Sequence, residues 1–541
     1  MQGEMMDFPL TTQHVMWRVD KFFGRKTVAT KVGGGIHRYT NGEMLANAGR
    51  LANALDRLGL EPGDRVATLA WNNRRHLELY YAGPGSGRVL QTLNPRIFPD
   101  QLAYILGEAE DSAIFVDATL LPVLARIHDR LPASLRSIVV MNEGGGPLPD
   151  HPFESVVDYD ELIAGEGSDY AWPRLDERSA AILCYTSGTT GNPKGVLYSH
   201  RSQFLHTYMV TVADGIGLCE RDVMLTIVPM FHVNAWGLPY ACGLCGAELV
   251  LPDRWMGDAS ALVELVQAQK VTRMAGVPTV FINLLSHLEK TGERLPSVEW
   301  ALVGGSTASP ALIDRLQGLG LRVNHAWGLT ESSPIATLGS TRTWLTADEA
   351  RSAGYSQGLP VPGVEIRIVD MASGAELPWD GQTMGEIHLR GPWIAAQYFK
   401  NTDPSKFGDD GWMHTGDVAT IDKDGYIRIV DRIKDVIKSG GEWISSVDLE
   451  SAVMAHPQVL EAAVVGVPDP KWQERPIAFV VPKEEFKGKL SEADIREFLT
   501  DRIPTWWMPD RIVFIDEVPK GATGKFDKKV LRGRPVEAPA P

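Results

Sequence analysis

Hydrophobic positions along this chain switch repeatedly between two periods. Arg65–Trp71 is a short apolar run, the pattern of a buried strand. It follows a helix-periodic stretch, Met44–Leu58, closed by Gly59 and the turn Glu61–Asp64. Ala113–Val116, Ser137–Met141, Met274–Val277 and Trp300–Gly304 read as further strands, and Asp258–Lys270 as a helix with Asp258 at its N-cap. Repeated strand–helix units predict layered α/β architecture with largely parallel sheets. Gly358–Arg390 breaks this rhythm. Val364–Val369 and Gly385–Leu389 are β-rich and lack long helices between them, so an antiparallel β subdomain is expected. Beyond the strand Tyr426–Val430, strand and helix patterns alternate again at Ala462–Gly466, Ile477–Val481, Ser491–Leu499 and Arg511–Ile515. The expected fold class is therefore α/β. A large N-terminal domain, residues 1–430, would hold layered α/β subdomains and the β subdomain. A small, mobile α+β C-terminal domain, residues 431–541, would follow.

Composition sharpens this only in places. At 541 residues, 44% hydrophobic and 22% charged, the chain is ordinary for a globular protein of more than one domain. A formal net charge of −15 gives no global attraction for nucleic acid or an anionic membrane. Anionic substrates would then need local basic groups or backbone N–H groups. Four cysteines do not make a disulfide scaffold. The C-x-x-C of Cys242 and Cys245, with no second Cys pair or spaced His pair, is read as packing. Met1–Lys26 lacks the pattern of a signal peptide, and no run of about 18 apolar residues occurs, so a cytoplasmic protein without a membrane span is expected.

The most informative segment is Tyr185–Gly195, YTSGTTGNPKG. Three glycines permit close approach of backbone to a ligand. Hydroxyls of Thr186, Ser187, Thr189 and Thr190, the N–H groups around Gly188 and Gly191, and the charge of Lys194 suit phosphate oxygens. Apolar segments lead in and out. No Ser or Thr follows Lys194, so the G-x-x-x-x-G-K-[ST] class of NTPase is excluded.

This loop resembles the phosphate-loop signature of the adenylate-forming superfamily. Further motifs appear in that family's order: Gly304-Gly305-Ser306, Trp327-Gly328-Leu329-Thr330-Glu331, Thr415-Gly416-Asp417, Asp431-Arg432-Ile433-Lys434-Asp435, Lys438-Ser439-Gly440-Gly441-Glu442 and Gly524-Lys525. With Phe231-His232-Val233-Asn234-Ala235-Trp236 and Gly441-Glu442-Trp443, the pattern is most similar to bacterial fatty-acyl-CoA synthetases.

The resemblance implies an acid–thiol ligase that forms acyl-AMP and pyrophosphate from ATP, then acyl-CoA and AMP, with a medium- or long-chain fatty acid as the acid. ATP, Mg²⁺ and coenzyme A are implied cofactors. It implies metal ligation by Thr186 and Glu331, adenine contacts at Gly305, His325, Ala326 and Trp327, a further cofactor contact at Thr330, and ribose contacts at Asp417 with Arg432. His232 would sit beside the activated carboxylate next to Val233. Trp236 and Trp443 match the family's gate tryptophans. Lys525 would be the main catalytic side chain; Gly521 stands where the family usually has Thr, which puts the holding of that loop in question. Lys434, Lys438, Gly440 and Gly441 would meet nucleotide or CoA after rotation at a hinge, Asp431-Arg432. The resemblance also implies a homodimer through the N-terminal segment. Phe204, Val228, Trp236 and Ala336 are candidates for the acyl lining. Two alternatives stay open: an adenylating enzyme with another acid or acceptor, and a nucleotide-binding regulatory protein without catalysis.

Overall fold

The computed structural model describes residues 1, 3–186, 192–440, 442–520 and 526–534. The chain forms two compact units: Met1–Glu365 with Leu389–Met413, and Ile366–His388 with His414–Pro541.

Two sheets organise the first unit. Nine strands form one, in the order Leu359–Pro360, Ile335–Leu338, Arg322–Gly328, Trp300–Val303, Arg273–Gly276, Val223–Thr226, Glu248–Leu251, Thr27–Val32 and Gly35–Thr40. Its centre is parallel and its two edges are antiparallel. Seven strands form the other: Val157–Asp158, Ser137–Met141, Ala113–Asp117, Arg65–Leu69, Val89–Thr92, Ala180–Tyr185 and Gly195–Ser199. It is parallel except for its last pair. Parallel strands covered on both faces need apolar residues at nearly every position, and Ala113–Asp117 is buried throughout. Asp258 caps the helix Ala259–Gln269 as expected, accepting from Ala261 N. The strand expected to reach Trp71 ends at Leu69, because the Trp71 N–H leaves the ladder and donates to Asp117 Oδ2 at 2.7 Å.

Asn72 joins the two sheets where their strands end. Its side-chain amide donates to Thr226 O at 2.9 Å and Val228 O at 2.8 Å, and its Oδ1 accepts from Met230 N at 2.7 Å. Both amide N–H groups and the oxygen engage main-chain groups, which offsets the cost of burying this Asn completely.

The second unit contains the four-stranded sheet Glu365–Val369, Gly385–Arg390, Met413–Ile421 and Ile427–Arg432. The expected β-rich stretches Val364–Val369 and Gly385–Leu389 supply its first two strands, but the sheet extends to residue 432 and belongs to this unit, not to a domain ending at residue 430. The strand Ile427–Arg432 runs on through residue 431 and is antiparallel to Met413–Ile421. A five-stranded sheet follows, centred on the long hairpin Val459–Asp469 and Gln473–Pro482, with Arg511–Phe514 parallel at its side. The helices Ser446–Met454 and Glu492–Leu499 pack on it, contributing Leu449, Val453, Ile495 and Leu499 to one core. Within this unit Ser445 Oγ donates to Val430 O at 2.7 Å, and Ser446 N donates to Asp431 Oδ2 at 2.7 Å. Among the described residues no helix is long and apolar enough to cross a membrane.

Candidate active site

The segment Tyr185–Gly195 connects two antiparallel strands, Ala180–Tyr185 and Gly195–Ser199. A strand–loop–strand hairpin differs from the strand–loop–helix of the excluded NTPase class. At its neck Thr186 N donates to Lys194 O at 2.9 Å, and Thr186 Oγ1 accepts from Lys194 N at 3.2 Å. The tip residues Ser187, Gly188, Thr189, Thr190 and Gly191 lie outside the described residues, as do Gly441 and Lys525.

From this neck a polar chain runs to Glu331. Lys194 Nζ forms an ion pair with Asp403 and lies 5.2 Å from the Tyr398 ring centre. Tyr398 Oη donates to Glu331 Oε1 at 2.5 Å. Burial, then the Glu331 charge, pushes the Tyr398 phenol above its usual range, so it stays a donor. Glu331 sits in the 3₁₀ turn Thr330–Ser332, and two backbone bonds fix that turn. Tyr198 Oη donates to Thr330 O at 2.6 Å, and Ala395 N donates to Glu331 O at 2.7 Å. Tyr198 belongs to the outgoing strand of the hairpin. The hairpin and the Thr330-Glu331 turn are therefore one construction. Sequence reasoning missed Tyr198, Tyr398 and Asp403. Only Tyr198 carried a signal, lying within the strand that leads out of the loop.

A second cluster forms around Trp236. A Cβ built on Gly304 would fall 3.0 Å from Trp236 Cη2 and 3.1 Å from Ala326 O; one on Gly305 would lie 3.1 Å from Val277 Cγ1 and 3.8 Å from Trp236 Cζ2. Gly305 also has φ of +82°. The indole thus lies against backbone with little room for a side chain, bringing Trp236, Gly305 and Ala326 together. Trp327 occupies the strand Arg322–Gly328, opposite Thr337. His325 on the same strand is buried, its Nε2 accepting from Ala308 N at 3.3 Å. Burial lowers its pKa to about 4, so the ring is neutral.

The backbone that carries Trp236 is unusual. Val233, Asn234, Ala235 and Trp236 have φ of +46°, +53°, +47° and +58°, followed by Gly237 at +77°. Left-handed geometry costs about 1–2 kcal/mol per non-glycine residue. Surrounding contacts hold it in place. Asn234 Oδ1 accepts from Tyr80 Oη and Cys184 Sγ, each at 3.4 Å, and its Nδ2 donates to Gln203 Oε1 at 3.2 Å. Tyr80 Oη also reaches Met230 O at 2.5 Å. His232, half-buried, precedes this turn as its N-cap, and its N donates to Pro229 O at 3.1 Å. Of the other acyl candidates, Val228 and Ala336 are buried, whereas Phe204 packs against His14 and Tyr208.

In the second unit, Asp417 and Arg432 are cross-strand neighbours, with Arg432 Nε 3.2 Å from Asp417 Oδ1. Burial lowers the Lys434 pKa, and its carbonyl accepts from Arg532 Nη2 at 3.0 Å. The hairpin Ile437–Ser439 and Glu442–Ile444 places Lys438 opposite Trp443, with Nζ 4.8 Å from a Trp443 ring centre. Gly440, at φ of +63°, donates to Trp472 O at 2.8 Å, and a Cβ there would lie 2.8 Å from Trp472 Cε3. Trp472 was not foreseen. The segment containing Lys525 is bracketed by the bridge Lys520↔Phe526 and by Asp527 N donating to Pro519 O at 2.7 Å. The C-x-x-C is packing: both cysteines are unbridged on the helix Leu238–Cys245, and burial raises the Cys242 thiol well above its usual range.

Residues 17–399 match the family described as AMP-binding enzyme, and residues 448–525 match the AMP-binding enzyme C-terminal domain. The chain belongs to the AMP-binding enzyme family. It is 45% identical over 540 residues to the 3-methylmercaptopropionyl-CoA ligase of Ruegeria lacuscaerulensis, covering 98% of each chain. It is also 45% identical to the long-chain-fatty-acid–CoA ligase of Thermus thermophilus, covering 98% of this chain and 96% of the relative. The crystal structure of the anthranilate CoA ligase AuaEII with anthranoyl-AMP superposes with a TM-score of 0.85 at 27% identity, covering 97% of this chain and 98% of that one. The family and these relatives support an adenylate-forming CoA ligase, an acid–thiol ligase. They act on different acids.

Proposed function

We propose that this chain is an ATP-dependent fatty acid:CoA ligase that takes a medium- or long-chain acid. The carrying observation is the linked set Thr186, Lys194, Tyr398 and Glu331, which joins a phosphate-type hairpin to a fixed carboxylate. In the first step an acid carboxylate oxygen attacks the α-phosphorus of ATP and the bond to pyrophosphate breaks. In the second, the CoA sulfur attacks the acyl carbonyl, the thiol proton is lost and AMP leaves. Both steps gather charge on oxygens, so positioned cations and N–H groups lower the barrier.

Thr186 Oγ1 and the Glu331 carboxylate are hard oxygen donors and fit Mg²⁺, which would neutralise phosphate charge there. Lys194 must part from Asp403 to reach phosphate. Adenine would lie by Trp327, Gly305 and Ala326, and the ribose at Asp417 and Arg432. His232 would face the acid carboxylate, with Trp236 closing the acyl path. Lys525 would bridge carboxylate and α-phosphate, then withdraw as the chain turns at Asp431-Arg432 and offers Lys438, Gly440 and Trp443 to CoA. A cytoplasmic homodimer joined through the N-terminal segment completes the reading.

A second reading has its own support, since identity to the 3-methylmercaptopropionyl-CoA ligase equals that to the long-chain enzyme. Pyrophosphate release with hexadecanoate, octanoate and 3-methylmercaptopropionate, with and without CoA, separates them. Turnover of either fatty acid with thioester product supports the proposal. Selective turnover of the thioether acid favours the second reading, and pyrophosphate release without thioester removes CoA as acceptor.

A further inference from the structure

Three strands of the second unit bring an acidic group, two imidazoles and a guanidinium to the turn before Asp417. Glu386 and His388 stand two residues apart on the strand Gly385–Arg390, so they share a face. His414 stands on the strand Met413–Ile421, and its ring stacks on His388 with centres 4.0 Å apart and planes 10° apart. Arg367, on the strand Glu365–Val369, approaches His388 Nδ1 at 3.4 Å. Glu386 Oε2 lies 3.5 Å from His388 Nε2. Its Oε1 accepts from Gly416 N at 2.9 Å.

That last bond matters because of where Gly416 stands. Gly416 has φ of +75°, which turns the chain between His414 and Asp417. Thr415 Oγ1 donates to Ile387 O at 2.8 Å and accepts from Asp417 N at 3.1 Å. Ile433 N donates to Gly416 O at 3.0 Å. Gly416 N, Gly416 O and Asp417 N are therefore all tied down, and the side chain that holds the Gly416 N–H is a carboxylate. Burial works against charge on Glu386, yet His388, the Gly416 N–H and His414 together leave its carboxyl below the usual value. Hydrogen bonds to an ionised acceptor are the stronger kind.

We propose that Glu386 is a positioning residue for Asp417: its carboxylate fixes the Thr415–Asp417 turn so that the Asp417 carboxylate faces a pair of ribose hydroxyls. This rests on the reading of Asp417 as the ribose-binding group. The same three side chains, Glu386, His388 and His414, are close enough to share a metal ion. An imidazole binds an ion near its own plane, and two rings stacked face to face, with centres 4.0 Å apart and planes within 10° of parallel, do not direct their nitrogens at one ion. The stack, with Arg367 at His388 Nδ1, holds the His388 ring so that its Nε2 faces Glu386 and supports that carboxylate.

The test is AMP binding to the full chain by titration calorimetry, repeated with 2′,3′-dideoxy-AMP. Glu386→Ala should weaken AMP about tenfold, the order expected from losing one charge-assisted hydrogen bond. It should leave dideoxy-AMP unchanged. Glu386→Gln, which still accepts from Gly416 N–H, should stay within about twofold of wild type. Equal weakening of both nucleotides, or no weakening of AMP, overturns the proposal. So does tight binding of one Zn²⁺ that His414→Ala removes. If Glu386→Ala does not fold, Glu386→Asp carries the test, because its shorter arm withdraws from Gly416. Asp417→Asn provides the control: if it discriminates no better between the two nucleotides than wild type does, the ribose reading itself fails, separately from the role of Glu386.

Discussion

Two regions invoked for the chemistry are built in opposite ways. Around His232–Gly237 the backbone is left-handed over five residues and closed in by Tyr80, Asn72, Cys184 and Gln203. Strain there persists because the surroundings over-determine it. The hairpin Ile437–Ile444 has two three-residue strands tied to the next strand through Ser439 and Lys438 N, and a glycine turn beside the exposed Trp472. Its ends are anchored, with Ile437 and Ile444 buried in the core of the sheet, and only its tip, with Lys438 and Gly440 exposed, is left with little packing. A site that activates a carboxylate gains from fixed geometry, whereas a segment that greets an incoming thiol gains from freedom to arrive and leave.

Breaking each region should therefore damage a different step. The largest effect is expected from Lys525→Ala. Adenylate formation should fall at least a hundredfold, while thioester formation from preformed acyl-AMP persists. Single-turnover assays of the two half-reactions check this, and equal loss in both would separate Lys525 from the first step. Gly440→Val should do the reverse. A side chain there meets Trp472 and a backbone φ of +63°, so thioester formation should drop roughly a hundredfold with adenylation retained. Tyr398→Phe is milder. It removes the donor to Glu331 without changing shape, and kcat/KM for ATP should fall about tenfold, with no change in melting temperature beyond a few degrees. An unchanged kcat/KM would disconnect the hairpin from Glu331.

How far these regions were legible in sequence follows the same division. Local signals read well. The strand Ser137–Met141, the cap at Asp258 and the strands flanking the phosphate-type loop each follow from apolar runs and turn chemistry within a dozen residues. The exclusion of the common NTPase loop followed from one missing hydroxyl and agrees with the hairpin found. What stayed hidden depends on contacts between distant residues. Lys194 meets Asp403, and Tyr398 meets Glu331, across separations that no periodicity encodes. Glu386 reaching Gly416 is invisible because three strands must first assemble. The left-handed turn carried only two hints, Asn234 and Gly237, while Val233 argues locally against it. Tertiary packing overrode local preference at the place where Trp236 had to be aimed.

The smallest predicted effect measures that override directly. Ala235 and Ala241 are both fully buried, but Ala235 has φ of +47° and Ala241 lies within the helix Leu238–Cys245. Either change to glycine removes one buried methyl, worth about 0.8 kcal/mol. Either also frees the unfolded chain, by about 0.5–1 kcal/mol. Only at Ala235 does glycine relieve left-handed strain, by about 1–2 kcal/mol. Ala235→Gly should therefore be nearly neutral, and Ala241→Gly should destabilise by about 1–2 kcal/mol, read from urea midpoints at constant slope. Equal losses would mean that the turn stores no strain. Trp236 would then be aimed by its contacts with Gly304 and Gly305 alone, and the contrast between a fixed and a free region would rest on burial, not on backbone conformation.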